Sequence, residues 1–339
     1  MPLPDVSQFA FTPDLRICRI LNGMWQVSGA HGRINPEAAL QDMFAYVEAG
    51  FTTWDLADHY GPAEDFIGEF RRQLAATCGE DALKTIQAFT KWVPPPGPMP
   101  RHIVEHNIAI SLRRMGVPTL DLLQFHWWDY DDPQYLEALT HLAALQSEGK
   151  IKHLGLTNFD TERVQRILDR GIRIVSNQVQ YSLLDRRPEV RMVPLFQQHH
   201  MHLLTYGTLC GGLLSDAYLD KPEPRGAALN TASLRKYKQM LDTWGDWSLW
   251  QELLQTLRQV ADKHGVSIAN VAVRAILDRP AVAGVIVGVR LGVAEHRTDN
   301  ARVFDCALDA EDHQRIQTVL DKSRDLYRLI GDCGDEYRR

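Results

Sequence analysis

Apolar positions along the chain alternate between two rhythms. Short runs rich in Val, Ile, Leu, Phe and Trp predict eight β-strands, at 17–25, 52–57, 85–91, 120–126, 151–157, 173–178, 202–206 and 283–287. Longer stretches between them repeat at helical spacing. Asn35 is placed to cap a helix with Pro36 at its first position; Leu40, Met43, Phe44 and Val47 share a face, and Gly50 is placed to end it. Asp132-Pro133 opens another, with Tyr135, Leu139 and Leu142 on one face and Gly149 at its close. Asp160 precedes a third, with Val164, Ile167 and Leu168 aligned and Gly171 at its end.

Strand–helix alternation with short connections implies parallel strands joined by right-handed crossovers. Eight such units predict a closed (β/α)8 TIM barrel, one domain over residues 1–339. A doubly wound open sheet would carry a glycine-rich turn after its first strand. The segment Gly23-Met24-Trp25-Gln26-Val27-Ser28-Gly29 does not match GxGxxG. Two stretches interrupt the alternation. One is an insertion at about 213–249, with Pro222 and Pro224 and then Trp244, Trp247 and Trp250 nearby; its tryptophans predict a packed segment able to act as a lid. The other is a C-terminal tail at about 310–339, read as one helix to about residue 329.

Composition narrows the function. Acidic residues (43) exceed basic ones (37), for a formal charge of −6, which argues against nucleic acid or an anionic membrane as partner. No apolar run approaches the ~20 residues that span a bilayer. The start, Met1-Pro2-Leu3-Pro4-Asp5, lacks the basic and apolar segments of a secretory signal. Five scattered cysteines, with no CxxC pair, read as reduced thiols of a cytoplasmic protein. His199, His200 and His202 read as a solvated helix end, so no metal is expected.

In a TIM barrel, chemistry gathers where strands end on the C-terminal side. Asp55, Lys91 and His126 fall at the ends of the second, third and fourth predicted strands, and Tyr60 lies in the loop after Asp55. A phenol titrates near ~10, too high for efficient proton transfer at neutrality. A neighbouring Lys91 ammonium is expected to lower that value, and Asp55 to hold the lysine. His126 is expected to donate a hydrogen bond to a carbonyl oxygen. Together the four predict a proton-donating site for reducing C=O.

The stretch Gly50-Phe51-Thr52-Thr53-Trp54-Asp55-Leu56-Ala57-Asp58-His59-Tyr60-Gly61, followed by Glu64 and Gly68, resembles the signature of the aldo-keto reductases. Thr90-Lys91 resembles that family's lysine strand, and Asp121-Leu122-Leu123-Gln124-Phe125-His126 its histidine strand. The branch it most resembles contains bacterial enzymes and potassium-channel β-subunits. The resemblance, over roughly residues 15–304, implies an NADPH-dependent carbonyl reductase with Tyr60 as acid–base, Lys91 and Asp55 tuning it, and His126 orienting the carbonyl. It also implies an NADP(H) site. Thr157, Asn158 and Gln178 would contact the carboxamide and Tyr206 would stack on the nicotinamide. Gly23, Trp25, Gly207 and Leu209 would line the cofactor, and Gly288, Arg290, His296 and Asn300 the phosphate end, with helix amides after Gly292 adding anion affinity. The segment from Gly288 to Asn300 departs from the family pattern. It is about two residues longer, and His296 stands where glutamine or arginine is usual.

Two other functions fit the same residues. One is a cofactor-binding regulatory or scaffold protein, as in the channel β-subunits; the other is a sugar dehydrogenase working oxidatively. Trp25, Trp54, Trp92, Trp127, Trp128 and Tyr130 cluster near strand ends. Trp92, Trp127 and Trp128 are expected to wall the pocket for a small carbonyl substrate, while Trp54, pointing away from Asp55, is expected in the core.

Overall fold

A computed structural model describes residues 3–29 and 34–338. An antiparallel hairpin comes first, β1 (Gln8–Thr12) with β2 (Leu15–Cys18). The chain then bends at Arg19 and enters the barrel. Its strands are β3 (Ile20–Gly23), β4 (Thr53–Asp55), β5 (Gln87–Trp92), β6 (Leu120–His126), β7 (Ile151–Thr157), β8 (Ser176–Gln180), β9 (His202–Tyr206) and β10 (Val282–Gly288). All eight pair in parallel, and β10 closes the ring against β3, Val285 beside Ile20 and Gly288 beside Gly23. This is the (β/α)8 TIM barrel that the alternation predicted.

Strand positions 120–126, 151–157 and 202–206 coincide with prediction, and most others shift by a residue or two. The run at 17–25 does not form one strand. Its first part lies in the hairpin, where Phe11, Leu15 and Ile17 pack with Leu21, Phe89, Leu122 and Leu204 inside the barrel. Arg19 causes the break: its guanidinium donates to the carbonyls of Leu277, Val282 and Ala283, and its amide to that of Ser7. An apolar run hides such a bend because both halves are buried.

Helices follow the strands, and their ends carry the expected chemistry. In α1 (Pro36–Glu48) the Asn35 side chain accepts from the amides of Glu37 and Ala38, and Gly50 beyond it has φ of 99°. Its buried ridge is Ala39, Met43 and Tyr46, turned one residue from the predicted face, with Leu40, Phe44 and Val47 half-buried beside it. Next are α2 (Ala63–Cys78) and α3 (Arg101–Met115). In α4 (Tyr135–Ser147), Tyr135, Leu139 and Leu142 are buried as expected. In α5 (Thr161–Asp169), Asp160 caps through the Arg163 amide. Then come α6 (Met192–Gln198), α7 (Ala232–Trp244), α8 (Trp247–His264), α9 (Ile268–Leu277) and the short α10 (Arg297–Ala301).

The insertion is packed, as its tryptophans predicted. Its second half is α7 and the first turn of α8, started by the side chains of Thr231 and Asp246. Leu234, Tyr237, Leu241 and Trp244 form a helical stripe that buries inward, and Trp244 meets Trp250 edge to face at 5.7 Å, both enclosed. The tail also differs from one continuous helix: α11 (Ala310–Leu320) and α12 (Leu326–Ile330) are separate. Ser323 turns its hydroxyl onto the Leu320 carbonyl, and Asp325 recaps the chain through the amides of Tyr327 and Arg328. Among the described residues no helix is long and apolar enough to cross a membrane.

Candidate active site

Strand alternation sends every second side chain of the barrel inward. On β4, β5 and β6 this turns Asp55, Lys91, Gln124 and His126 toward one another at the C-terminal rim, all buried. Lys91 Nζ donates to Asp55 Oδ2 at 2.6 Å and to the Leu56 carbonyl at 3.0 Å. The other carboxylate oxygen, Oδ1, accepts from Gln124 Nε2 at 2.9 Å and Gln178 Nε2 at 2.6 Å. Gln178 therefore spends its amide hydrogens on Asp55 and on Gln124 Oε1 at 2.7 Å. Gln124 had no assigned role. Its place two residues before His126, on the inward face, was the signal that could have found it.

Tyr60 stands over this pair. Lys91 Nζ lies 5.0 Å from the centre of its ring, and Trp25 closes the other side edge to face at 5.0 Å. The expectation of a lowered phenol pKa is overturned. Burial, then the Asp55 carboxylate, pushes Tyr60 well above the ordinary value. The Lys91 ammonium lies over the ring and is committed to Asp55. Burial also lowers the Lys91 ammonium, with Asp55 opposing.

His126 is likewise not the donor expected. Its Nδ1 lies 2.9 Å from the Thr157 carbonyl, which can only accept, so Nδ1 carries the proton. Burial brings the imidazole down to about 4 and keeps it neutral at ordinary pH. Nε2 is then a bare acceptor, buried and without a partner among the described residues.

The predicted nicotinamide residues surround this rim. Thr157 Oγ1 is buried with no hydrogen-bond partner among the described residues. Asn158, at φ of 56°, receives the Tyr206 hydroxyl on Oδ1 at 2.8 Å. Gly207 and Leu209 lead from Tyr206 into the turn beneath α7, where the Cys210 amide returns to the Gly207 carbonyl. An orphaned hydroxyl and an amide side chain at the end of β7, with an aromatic ring at the end of β9, fit a nicotinamide carboxamide and its ring.

Gly23 and Gly288 are paired neighbours at the ends of β3 and β10. Arg290 follows, exposed, while His296 precedes α10 and Asn300 lies within it. The Gly292 amide donates to Asp42 Oδ2 at 2.7 Å, and the helix that follows, α10, begins at Arg297, with the Thr298 amide of its first turn on Glu295 Oε1 at 3.0 Å.

Two of the three pocket tryptophans lie elsewhere. Trp92 alternates with Lys91 and so points out of the barrel, packing on Phe125 at 5.5 Å. Trp127 is fully enclosed, its indole donating to the Asp132 carbonyl at 2.9 Å. Trp128 alone is at the rim, 43% exposed and edge-on to His126 at 4.3 Å. Trp54 is in the core as expected.

The remaining wall comes from the end of the chain. Arg338 donates to the carbonyls of Trp127 at 2.5 Å and Asn158 at 2.8 Å and covers the Tyr130 ring at 3.8 Å. Tyr337 reaches the Tyr206 hydroxyl at 2.8 Å, and Glu336 pairs with the buried Arg187 at 3.0 Å. Sequence reasoning assigned nothing to these residues.

Comparison with known proteins gives this geometry its family. The model of the aldo/keto reductase family matches residues 19–321. The chain belongs to that family. It is therefore an NAD(P)H-dependent oxidoreductase of CH–OH and C=O groups, with NADP(H) as cofactor. The flagellar radial spoke protein 5 of Chlamydomonas reinhardtii is 32% identical over 183 residues, 48% of this chain but 34% of that protein. The aldo-keto reductase YhdN of Bacillus subtilis is 25% identical over 319 residues, 90% of each. The solved glycerol dehydrogenase of Gluconobacter oxydans superposes with TM-score 0.76 at 22% identity, covering 97% of this chain and 98% of that one. Within the aldo-keto reductase signature, Glu64 and Gly68 serve the fold. Glu64 accepts from Thr90 at 2.7 Å, and a Cβ on Gly68 would overlap the Arg114 carbonyl where α2 crosses α3.

Proposed function

We propose that this aldo-keto reductase uses NADPH to reduce an aldehyde or ketone, with Tyr60 delivering the proton. The observation that carries this reading is the Lys91–Asp55 pair, buried at 2.6 Å against the face of the Tyr60 ring. When bound, NADPH supplies the hydride. Thr157 Oγ1 and the Asn158 side chain would hold its carboxamide, and the Tyr206 ring would back the nicotinamide. The exposed guanidinium of Arg290 suits a 2′-phosphate and supports NADPH over NADH.

Desolvation keeps the Tyr60 phenol protonated, which is the state a proton donor must occupy. As its proton moves to the carbonyl oxygen, negative charge grows on the phenol beside the Lys91 ammonium. The gain is confined to the transition state, where it accelerates the reaction. Asp55 positions the lysine, and Gln124 and Gln178 position Asp55. The scattered, unpaired cysteines fit a cytoplasmic enzyme.

One observation favours the oxidative direction as a second reading. A neutral His126 with bare Nε2 complements the O–H of an alcohol better than a carbonyl oxygen. The test is Tyr60→Phe, with NADPH, NADH and the oxidised cofactors supplied in turn. In whichever direction predominates, kcat should fall by roughly 10²–10⁴-fold while the NADPH dissociation constant holds. Near-normal turnover by the variant sinks the assigned role of Tyr60. Equal kcat/KM for NADPH and NADH removes the preference ascribed to Arg290.

A further inference from the structure

Lys236, on α7, is a cation at the rim for which the reaction as derived has no use. Its ammonium lies 4.3 Å from the centre of the Tyr337 ring and 5.4 Å from those of Tyr206 and Tyr237, and it donates to the Tyr337 hydroxyl. That contact begins a directed chain. Lys236 donates to Tyr337, Tyr337 to Tyr206, and Tyr206 to Asn158 Oδ1. Among the described residues no carboxylate lies within ion-pair distance of Lys236. The nearby Asp185 and Glu336 are both engaged by Arg187, at 2.8 and 3.0 Å.

A lysine ammonium has three N–H donors and is strongly hydrated. Here it is half-buried among three rings with a hydroxyl as its acceptor and, among the described residues, no carboxylate beside it, an arrangement that leaves it ready for an anion. Its surroundings lead to the reacting centre. Tyr337 meets Trp128 edge-on at 6.4 Å, and Trp128 meets His126 at 4.3 Å. A substrate whose carbonyl lies beside Tyr60 extends along these rings toward Lys236.

We propose that Lys236 is a specificity-determining residue that binds the carboxylate or phosphate of an anionic carbonyl substrate. The inference rests on reading the rim as the carbonyl site. The anionic group approaches along Trp128 and replaces the Tyr337 hydroxyl as the lysine's acceptor. Arg187 and Arg338 hold the rest of the terminal segment in place.

The test compares kcat/KM for two matched pairs, 4-carboxybenzaldehyde with benzaldehyde and glyceraldehyde 3-phosphate with glyceraldehyde. Lys236→Met should lower the anionic-to-neutral ratio by roughly ten- to hundred-fold in at least one pair, the loss of a charge-assisted hydrogen bond. Lys236→Arg should restore most of it, and Lys236→Gln replaces the methionine variant if that one does not fold. The pair that responds tells carboxylate from phosphate. Unchanged ratios in both pairs overturn the proposal, as does weakened NADPH binding with unchanged ratios, which would assign the ammonium to the cofactor. If none of the four aldehydes is turned over, the reductase reading fails by itself. Calorimetry of benzoate and inorganic phosphate with the NADP⁺-saturated protein then decides the Lys236 question. Roughly tenfold weaker binding of either ion to Lys236→Met supports it; equal binding, or none to the unsubstituted protein, overturns it.

Discussion

The Asp55–Lys91 pair inside the barrel and the Asp185–Arg187–Glu336 cluster under the terminal segment are both shut away from water, yet burial acts on them differently. At Lys91 desolvation outweighs the Asp55 charge, and the ammonium's pKa falls. At Arg187 desolvation is again the largest single effect and pulls downward, but the charges and hydrogen bonds of Asp185 and Glu336 together outweigh it, and the guanidinium is held still more firmly as a cation. The geometry explains the contrast. Arg187 grips Asp185 through Nε and Nη2, each at 2.8 Å, and adds Glu336 through Nη1 at 3.0 Å. Lys91 has one carboxylate contact and a backbone carbonyl. A forked, fully paired arginine makes a fixed clip, whereas a buried lysine with a single counter-ion remains electrostatically responsive to a charge forming beside it.

The largest effect expected from breaking either cluster is on turnover. Lys91→Met should reduce kcat by about 10²–10⁴-fold in single-turnover measurements of NADPH oxidation, because the phenolate would form without its cation. A variant that retains its rate would put both clusters in the same structural role.

Arg187→Met tests the other side. Two carboxylates would lose their shared cation, and urea unfolding should register a loss of about 3–5 kcal/mol. Limited proteolysis should then cut within the terminal segment, which Glu336 no longer anchors. A loss below about 1 kcal/mol would make the cluster no better than a surface ion pair.

A smaller effect sharpens the picture of the interior. The His126 imidazole is brought down to about 4 by burial, against 6.5 when unperturbed. Below pH 6.5 the unfolded chain takes up this proton, while the folded one resists until about pH 4. Stability therefore falls as pH drops through that window, by up to roughly 3 kcal/mol. Unfolding curves of His126→Gln should lack this share of the pH dependence. An unchanged pH dependence would show that the imidazole is not held neutral by its site.

Legibility divided along the same line as the clusters. Asp55 and Tyr60 share one short motif, and Lys91 and His126 end neighbouring strands, so parallel topology was enough to bring the four together. The clip, the Lys236 site and the rim cover join residues far apart in the chain: Arg187 with Glu336, Lys236 with Tyr337, Trp127 with Arg338. No periodicity records such pairings. Trp92 and Trp127 were misplaced for a related reason, since an aromatic at a strand end reads alike whether it turns into the rim or the outer core. The directions of two pKa shifts were also hidden. Burial and the Asp55 carboxylate both raise Tyr60, and burial lowers His126 against the hydrogen bond to Thr157.

By itself, the sequence determined the barrel, its strand order, the aldo-keto reductase family and the four side chains at the rim. These follow from local rhythm and from strand alternation, both of which act over a few residues. The tertiary structure alone decided the bend at Arg19, the two helices within and after the insertion, the neutral His126 with its lone pair free, and the terminal segment laid across the rim. Each depends on which distant group satisfies a buried charge, carbonyl or hydroxyl, and that partner is chosen only when the chain closes on itself.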